Sequence, residues 1–200
     1  DSSRHSLGCF RSYVAGGIPM SSQVCIRVAT LADAEVLVVL AEQTFRATFG
    51  KDNVSENIDA YVRDALSLGG LLDELADGAN TFLLTFIGAA KQPVGYAKLR
   101  TGSTAAAVEC SAPIELQRLY LDDGAIGHGI GAMLMGQCLE HAQSSGHQTV
   151  WLGVWENNAR ALSFYRRWGF EVVGEHVFQL GADSQRDLIM MRPIAGALTE

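Results

Sequence analysis

The ten residues AIGHGIGAML, positions 125–134, put glycine at every second place (Gly127, Gly129 and Gly131) and then run straight into good helix formers. A glycine inside a helix costs about 1 kcal/mol relative to alanine. Their clustering therefore marks either a turn that needs left-handed dihedrals or a backbone that a ligand must approach closely. Free N–H groups and the positive end of a helix dipole would make the second a phosphate cradle. The stretch has neither the GKS or GKT of a P-loop nor the GxGxxG spacing of dinucleotide folds, so such a cradle is of another kind.

Upstream, PIELQRLYL (113–121) alternates like a strand, with Ile114, Leu116, Arg118 and Tyr120 on one face and Glu115, Gln117, Leu119 and Leu121 on the other. The loop TGSTAAAVECSA separates it from a hairpin of strands, NTFLLTFIG (80–88) and PVGYAKLRT (93–101), joined by an AAKQ turn. Earlier still come helical patterns over 54–67 and 70–77, closed by Gly78-Ala79-Asn80, and a longer one over 31–48 that Thr30 would cap. VCIRVA (24–29) is the first strand. Downstream, the helix that follows the glycines runs to about residue 146. VWLGVW (150–155) is apolar on both faces, as in a buried central strand, and residues 158–168 form a helix closed by Gly169. Strands 171–180 and 187–192 finish the chain across a GADSQ turn. The order predicts one α/β domain over 24–195, a mixed, mostly antiparallel sheet of about seven strands flanked by helices.

Fifteen basic and 22 acidic residues give a formal net charge of −7. That balance disfavours nucleic acid as a partner and suits a small cationic substrate. Cys9, Cys25, Cys110 and Cys138 are scattered without a CxxC pair, which reads as reduced cytoplasmic thiols. No histidine spacing suggests a metal site, and no apolar run reaches the roughly 18 residues of a membrane span. Residues 1–23 lack the periodicity of the rest and read as a leader or tag-like tail, with Met20 as a candidate start. A homodimer, in which a second copy covers an edge strand, is compatible with such a sheet.

Two blocks, LYLDDGAIGHGIGAMLM and WLGVWENNARALSFYRRWGF, together resemble the acetyl-CoA-binding core of the GNAT superfamily of N-acetyltransferases, over about residues 24–193. The family pattern Q/R-x-x-G-x-G/A falls on Ile126, Gly127, His128, Gly129, Ile130 and Gly131, with Ile126 where glutamine or arginine is usual. The pattern N-x-x-A-x-x-x-Y-x-x-x-G-F falls on Asn158, Ala161, Tyr165, Gly169 and Phe170. TFRATFG (44–50), VSENIDAYV (54–62) and FQLGADSQRDLIM (178–190) look like the bacterial spermidine/spermine N-acetyltransferases of the PaiA type, with Arg186 where threonine is expected. The resemblance implies a GNAT fold, acetyl-CoA as co-substrate and no metal. It implies a pyrophosphate site over Ile126 to Ala132, and a backbone donor for the acyl oxygen near Leu119, Tyr120 and Leu121. It also implies that Asn158, with Ala161, meets the pantetheine arm and that Tyr165 is the acid for the departing thiolate.

An alkylammonium near pKa 10 costs roughly 4 kcal/mol to deprotonate at neutral pH, so a base is needed. Glu115, on the strand that leads to the glycines, is the candidate, and a partnership with Arg118 is its structural alternative. A polyamine needs carboxylates and aromatic faces along its path, and Glu42, Asp52, Glu56, Tyr61, Trp155 and Glu156 are candidates. Trp151 reads as core, His128 as solvent-facing, and Phe164 as a better core residue than Tyr165. A protein N-terminus, an amino acid or an aminoglycoside are alternative acceptors, and a non-catalytic acyl-CoA sensor is the alternative class.

Overall fold

The computed structural model describes residues 23–108 and 110–194. The expectations for residues 1–22 and for residue 195 lie outside that span. The strands are β1 (Val24–Val28), β2 (Asn80–Ile87), β3 (Gly95–Arg100), β4 (Pro113–Leu121), β5 (Thr149–Trp155), β6 (Glu171–Leu180) and β7 (Asp183–Pro193). The helices are α1 (Ala34–Phe49), α2 (Ser55–Ala65), α3 (Leu68–Ala76), α4 (Ile130–Ser144) and α5 (Ala159–Arg167). The strands form one sheet in the order β1-β2-β3-β4-β5-β7-β6, antiparallel throughout except for β4 and β5.

Each face of the sheet buries its own helices. Leu134, Met135 and Cys138 of α4, with Leu162 and Tyr165 of α5, pack on Ala97, Leu99, Ile114, Leu116, Val150 and Leu152. On the opposite face Leu37, Leu40, Ala41 and Phe45 of α1 and Leu71 of α3 cover Phe82, Leu84 and Tyr96. A leucine fully buried in either layer contributes about 2 kcal/mol. Charge is buried too: the Glu74 carboxylate of α3 takes Lys98 Nζ at 2.6 Å and Arg118 Nη1 at 2.7 Å, pinning α3 to β3 and β4. Burial pulls the Lys98 value down, and the bond to Glu74 works against that.

Three local readings of the sequence are corrected. The first helix starts at Ala34, after a single 3-10 turn at Leu31–Asp33, where Asp33 accepts the Thr30 N–H at 2.8 Å. The last strand starts at Asp183, because the turn is only Gly181-Ala182 and Leu180 already pairs with Asp183. The third correction changes which side chains share a face. Lys98 pairs with Arg118 but Leu99 pairs with Leu116, so Gln117 is the extra residue of a β-bulge. One added residue reverses the alternation beyond it. Leu119 and Leu121 therefore join Ile114 and Leu116 on the α4 side, whereas Tyr120 packs on Tyr96 and Arg118 reaches Glu74 on the α1 and α3 side.

The parallel pair then comes apart. β4 pairs with β5 only from Pro113–Thr149 to Glu115–Trp151. Beyond that point β4 stays with β3 as far as Leu121–Gly95, and β5 stays with β7 as far as Trp155–Asp187. An opening is left in the middle of the sheet.

Candidate active site

A cavity of 1170 Å³ fills this opening and reaches both faces of the sheet. On the α4 and α5 face its wall includes Leu119, Leu121, Ile126, Gly127, Gly129, Gly131, Ala132, Asn158, Ala161 and Tyr165. On the other face it includes Phe45, Phe49, Tyr61, Glu115, Trp155, His176, Phe178 and Asp187.

The glycine stretch supplies one end. Gly127 and Gly129 have φ of 85° and 78°, in the left-handed region that side chains avoid. Gly129 is the N-cap residue of α4 and offers no side chain to its first turn, whose first internal bond runs from Met133 N to Gly129 O at 3.1 Å. The N–H groups of Ile130, Gly131 and Ala132 therefore have no acceptor within the helix. A Cβ on Gly131 would sit 3.3 Å from Leu121 Cδ1, so the wall is already closed there. These features fit a pyrophosphate approaching the backbone. Ile130 itself turns inward to pack on Val24 and Ala125, and His128 is half-buried rather than solvent-facing; neither lines the cavity.

α5 supplies the next part. Asn158 stands outside the helix as its N-cap, where Oδ1 accepts the Ala161 N–H at 3.1 Å. Seven residues before Tyr165, a spacing of nearly two turns that would put both on one face of a continuous helix, it precedes the helix instead, and its amide NH2 is the group left for a ligand. The Tyr165 ring lies edge-on to Phe164 at 5.5 Å and to Phe170 at 5.7 Å. Burial pushes the hydroxyl well above the ordinary tyrosine range, with Cys138 adding to the effect, so it holds its proton. The expected order of the two rings is reversed: Tyr165 belongs to the core and Phe164 only packs against it. Trp151 is buried with Val108 and Ile189, as a core residue should be, yet its indole Nε1 has no hydrogen-bond partner.

Glu115 lies where the strands part. Its partner is Arg100, not Arg118: Arg100 Nε and Nη2 both reach Oε2, at 2.8 and 2.7 Å. Farther along the same face, Trp155 of β5, Asp187 of β7 and His176 of β6 stand side by side. Asp187 Oδ2 is 3.8 Å from His176 Nε2, and Oδ1 is buried without a hydrogen-bond partner. Burial pushes this carboxyl up to about 6, against the pull of His176. Gly153 makes the room, since a Cβ there would lie 3.1 Å from His176 Cε1.

The sheet is split between two parallel strands, with an uncapped glycine turn on one side of the split and a buried tyrosine beside it. The profile of the acetyltransferase (GNAT) family matches residues 42–170. The chain belongs to the acetyltransferase (GNAT) family. An uncharacterised N-acetyltransferase of Mycobacterium tuberculosis is 33% identical over 164 residues, which are 82% of this chain and 99% of the relative. The spermidine N(1)-acetyltransferase of Thermoplasma acidophilum is 26% identical over 149 residues, 74% of this chain and 88% of the relative. Among solved structures, PaiA N-acetyltransferase from Thermoplasma acidophilum in complex with coenzyme A superposes with a TM-score of 0.69 at 24% identity, covering 86% of this chain and 99% of that one. That likeness extends the family's fold to the whole sheet.

The structure of this GNAT acetyltransferase divides the expected acceptor residues. Tyr61 and Trp155 line the cavity, but Glu42, Asp52, Glu56 and Glu156 do not. Glu42 is bonded to Arg46 at 2.8 Å, Asp52 and Glu56 are exposed, and Glu156 pairs with Arg186 on the surface. Acidity alone misled the reading, because a helix-surface carboxylate and a cavity carboxylate look alike in sequence. Among the cavity residues missed are Phe45, Phe49, Arg100, His176, Phe178 and Asp187. A faint signal existed in Asp187, the one charge in the Gln185, Asp187, Ile189, Met191 series that β-alternation puts on one face. Among the described residues no cluster of His, Cys, Asp and Glu could hold a metal ion, and no helix is long and apolar enough to cross a membrane.

Proposed function

We propose that this acetyltransferase moves acetyl from acetyl-CoA to a primary amine of a small cationic molecule, with polyamines as the leading class. The observation that carries the reading is the cavity through the split sheet, which has a backbone phosphate cradle and Tyr165 on one face and carboxylates among aromatic rings on the other. Similarity to the Thermoplasma relative named for spermidine supports the acceptor class. Cys110 and Cys138 form no disulfide, which fits action in the cytoplasm.

Acetyl-CoA supplies an activated acyl thioester. The first-turn N–H groups of α4 bind its pyrophosphate and the Asn158 amide bonds the pantetheine arm. Backbone N–H groups in Leu119–Leu121 that face away from β3 have no β5 partner, because the strands have parted, and they stabilise the acyl oxygen as it gains charge. Glu115 takes a proton from the incoming ammonium, directly or through a water; Arg100 occupies Oε2, so Oε1 is the accepting atom. The Tyr165 hydroxyl delivers a proton to the departing sulfur.

The test is release of coenzyme A thiol across spermidine, spermine, putrescine, lysine, an aminoglycoside and a short peptide. Turnover is expected to be highest with the polyamines, and Glu115→Gln should lower kcat about 100-fold or more. Binding of coenzyme A without turnover of any amine would overturn the reading in favour of an acyl-CoA sensor.

A further inference from the structure

We propose that Asp187, flanked by Trp155, His176 and Tyr61, is the subsite that holds a second cationic group of the acceptor, one remote from the nitrogen that is acetylated. The proposal rests on the amine acetylation proposed above and narrows the acceptor to diamines and longer polyamines.

The other carboxylates that line the cavity each have a cation beside them. Arg100 neutralises Glu115, Glu74 takes Arg118 with Lys98, and Glu175 meets Arg186. Asp187 has only the His176 imidazole, at 3.8 Å, which is too long for a hydrogen bond. Its Oδ1 is buried and has no donor at all. A buried acceptor without a donor is costly, and an ammonium is the donor that also matches its charge. The raised carboxyl value has the same origin, burial with no strong cation beside it.

The surroundings suit an alkylammonium. Phe49 lies 6.1 Å from Trp155, Phe45 is 4.7 Å from Phe49 and 4.3 Å from Tyr61, and Tyr61 is 5.8 Å from Phe178. This run of rings faces the side of the cavity that holds Asp187, and aromatic faces attract desolvated cations. Glu115 is aligned with Trp151 and Asp187 with Trp155 on the two sides of β5. Four residues along the strand and two strand spacings across it put the backbones of Glu115 and Asp187 about 16 Å apart. One ammonium cannot serve both, whereas a chain with two can.

The experiment compares 1,8-diaminooctane, long enough to reach both carboxylates, with 1-aminooctane, in wild type and Asp187→Asn. It measures calorimetric binding in the presence of coenzyme A and kcat and KM by thiol release. Wild type should favour the diamine by about 10-fold or more in affinity and in kcat/KM. The asparagine variant should bring both ratios close to one through the diamine KM, with kcat little changed. Trp155→Leu, a second variant, should weaken diamine binding several-fold. An unchanged diamine preference in Asp187→Asn overturns the subsite, as does an equal fall in kcat for both amines at constant KM, which would mark a chemical role. The binding arm separates the two proposals. Asp187-dependent diamine binding without thiol release leaves the subsite standing and removes the acetylation, and turnover with no dependence on Asp187 does the reverse.

Discussion

A phenol enclosed by apolar rings keeps its proton because the charged form has no water to solvate it, and Tyr165 is in that position. Replacement by phenylalanine retains the ring contacts and removes only the hydroxyl. We expect Tyr165→Phe to melt within a degree or so of wild type, and kcat for thiol release to fall by about 100- to 10,000-fold. Asp187 gives a second test, through stability. Its carboxyl stands at about 6 in the folded chain against 3.8 ordinarily. The unfolded chain therefore ionises first as pH rises, and stability is lost between those values and stays lost above them. The groups facing Asp187 are His176 from β6 and Tyr61 from α2, with Arg118 of β4 beyond Tyr61. Asp187→Asn has no charge to desolvate. Thermal melts should show it near wild type at about pH 4 and more stable above pH 6, by on the order of 2 kcal/mol. Tyr165 and Asn158 were legible because a motif surrounds them. Asp187 was not, because its meaning depends on Trp155 and His176, which only strand pairing brings beside it.

At the scale of elements, periodicity located every strand and helix of the described chain to within a few residues. It failed inside β4, where the bulge at Gln117 leaves no trace in a pattern that simply keeps alternating. The consequence is large, because Leu119 and Leu121 end up on the α4 side of the sheet and Arg118 and Tyr120 on the α1 and α3 side. The turn before α4 has the left-handed dihedrals that one of the two readings of its glycines required, and they give a measurable cost. Gly129→Ala forces a side chain into φ of 78°, about 1–2 kcal/mol of strain, and brings a methyl group to the cradle. We expect its melting point to fall by several degrees and its Kd for coenzyme A, by calorimetry, to rise severalfold.

Over the whole molecule, a formal charge of −7 pointed to a cationic acceptor. The fold shows how weak that guide is by itself, since acidic residues such as Asp52 and Glu56 are on the outside while the cavity's own charges are mostly paired. The split between β4 and β5 was also illegible, because it consists of hydrogen bonds that are not made. Yet this missing stretch of ladder sets the order of events. On the proposed function the thioester is held from one face of the sheet and the amine arrives from the other, so neither substrate would have to leave before its counterpart enters, and transfer would proceed through a complex of all three partners without an acetylated enzyme. A single molecule carrying coenzyme A at one end and a diamine at the other would thread the sheet and be gripped from both sides, its affinity approaching the product of the two separate ones.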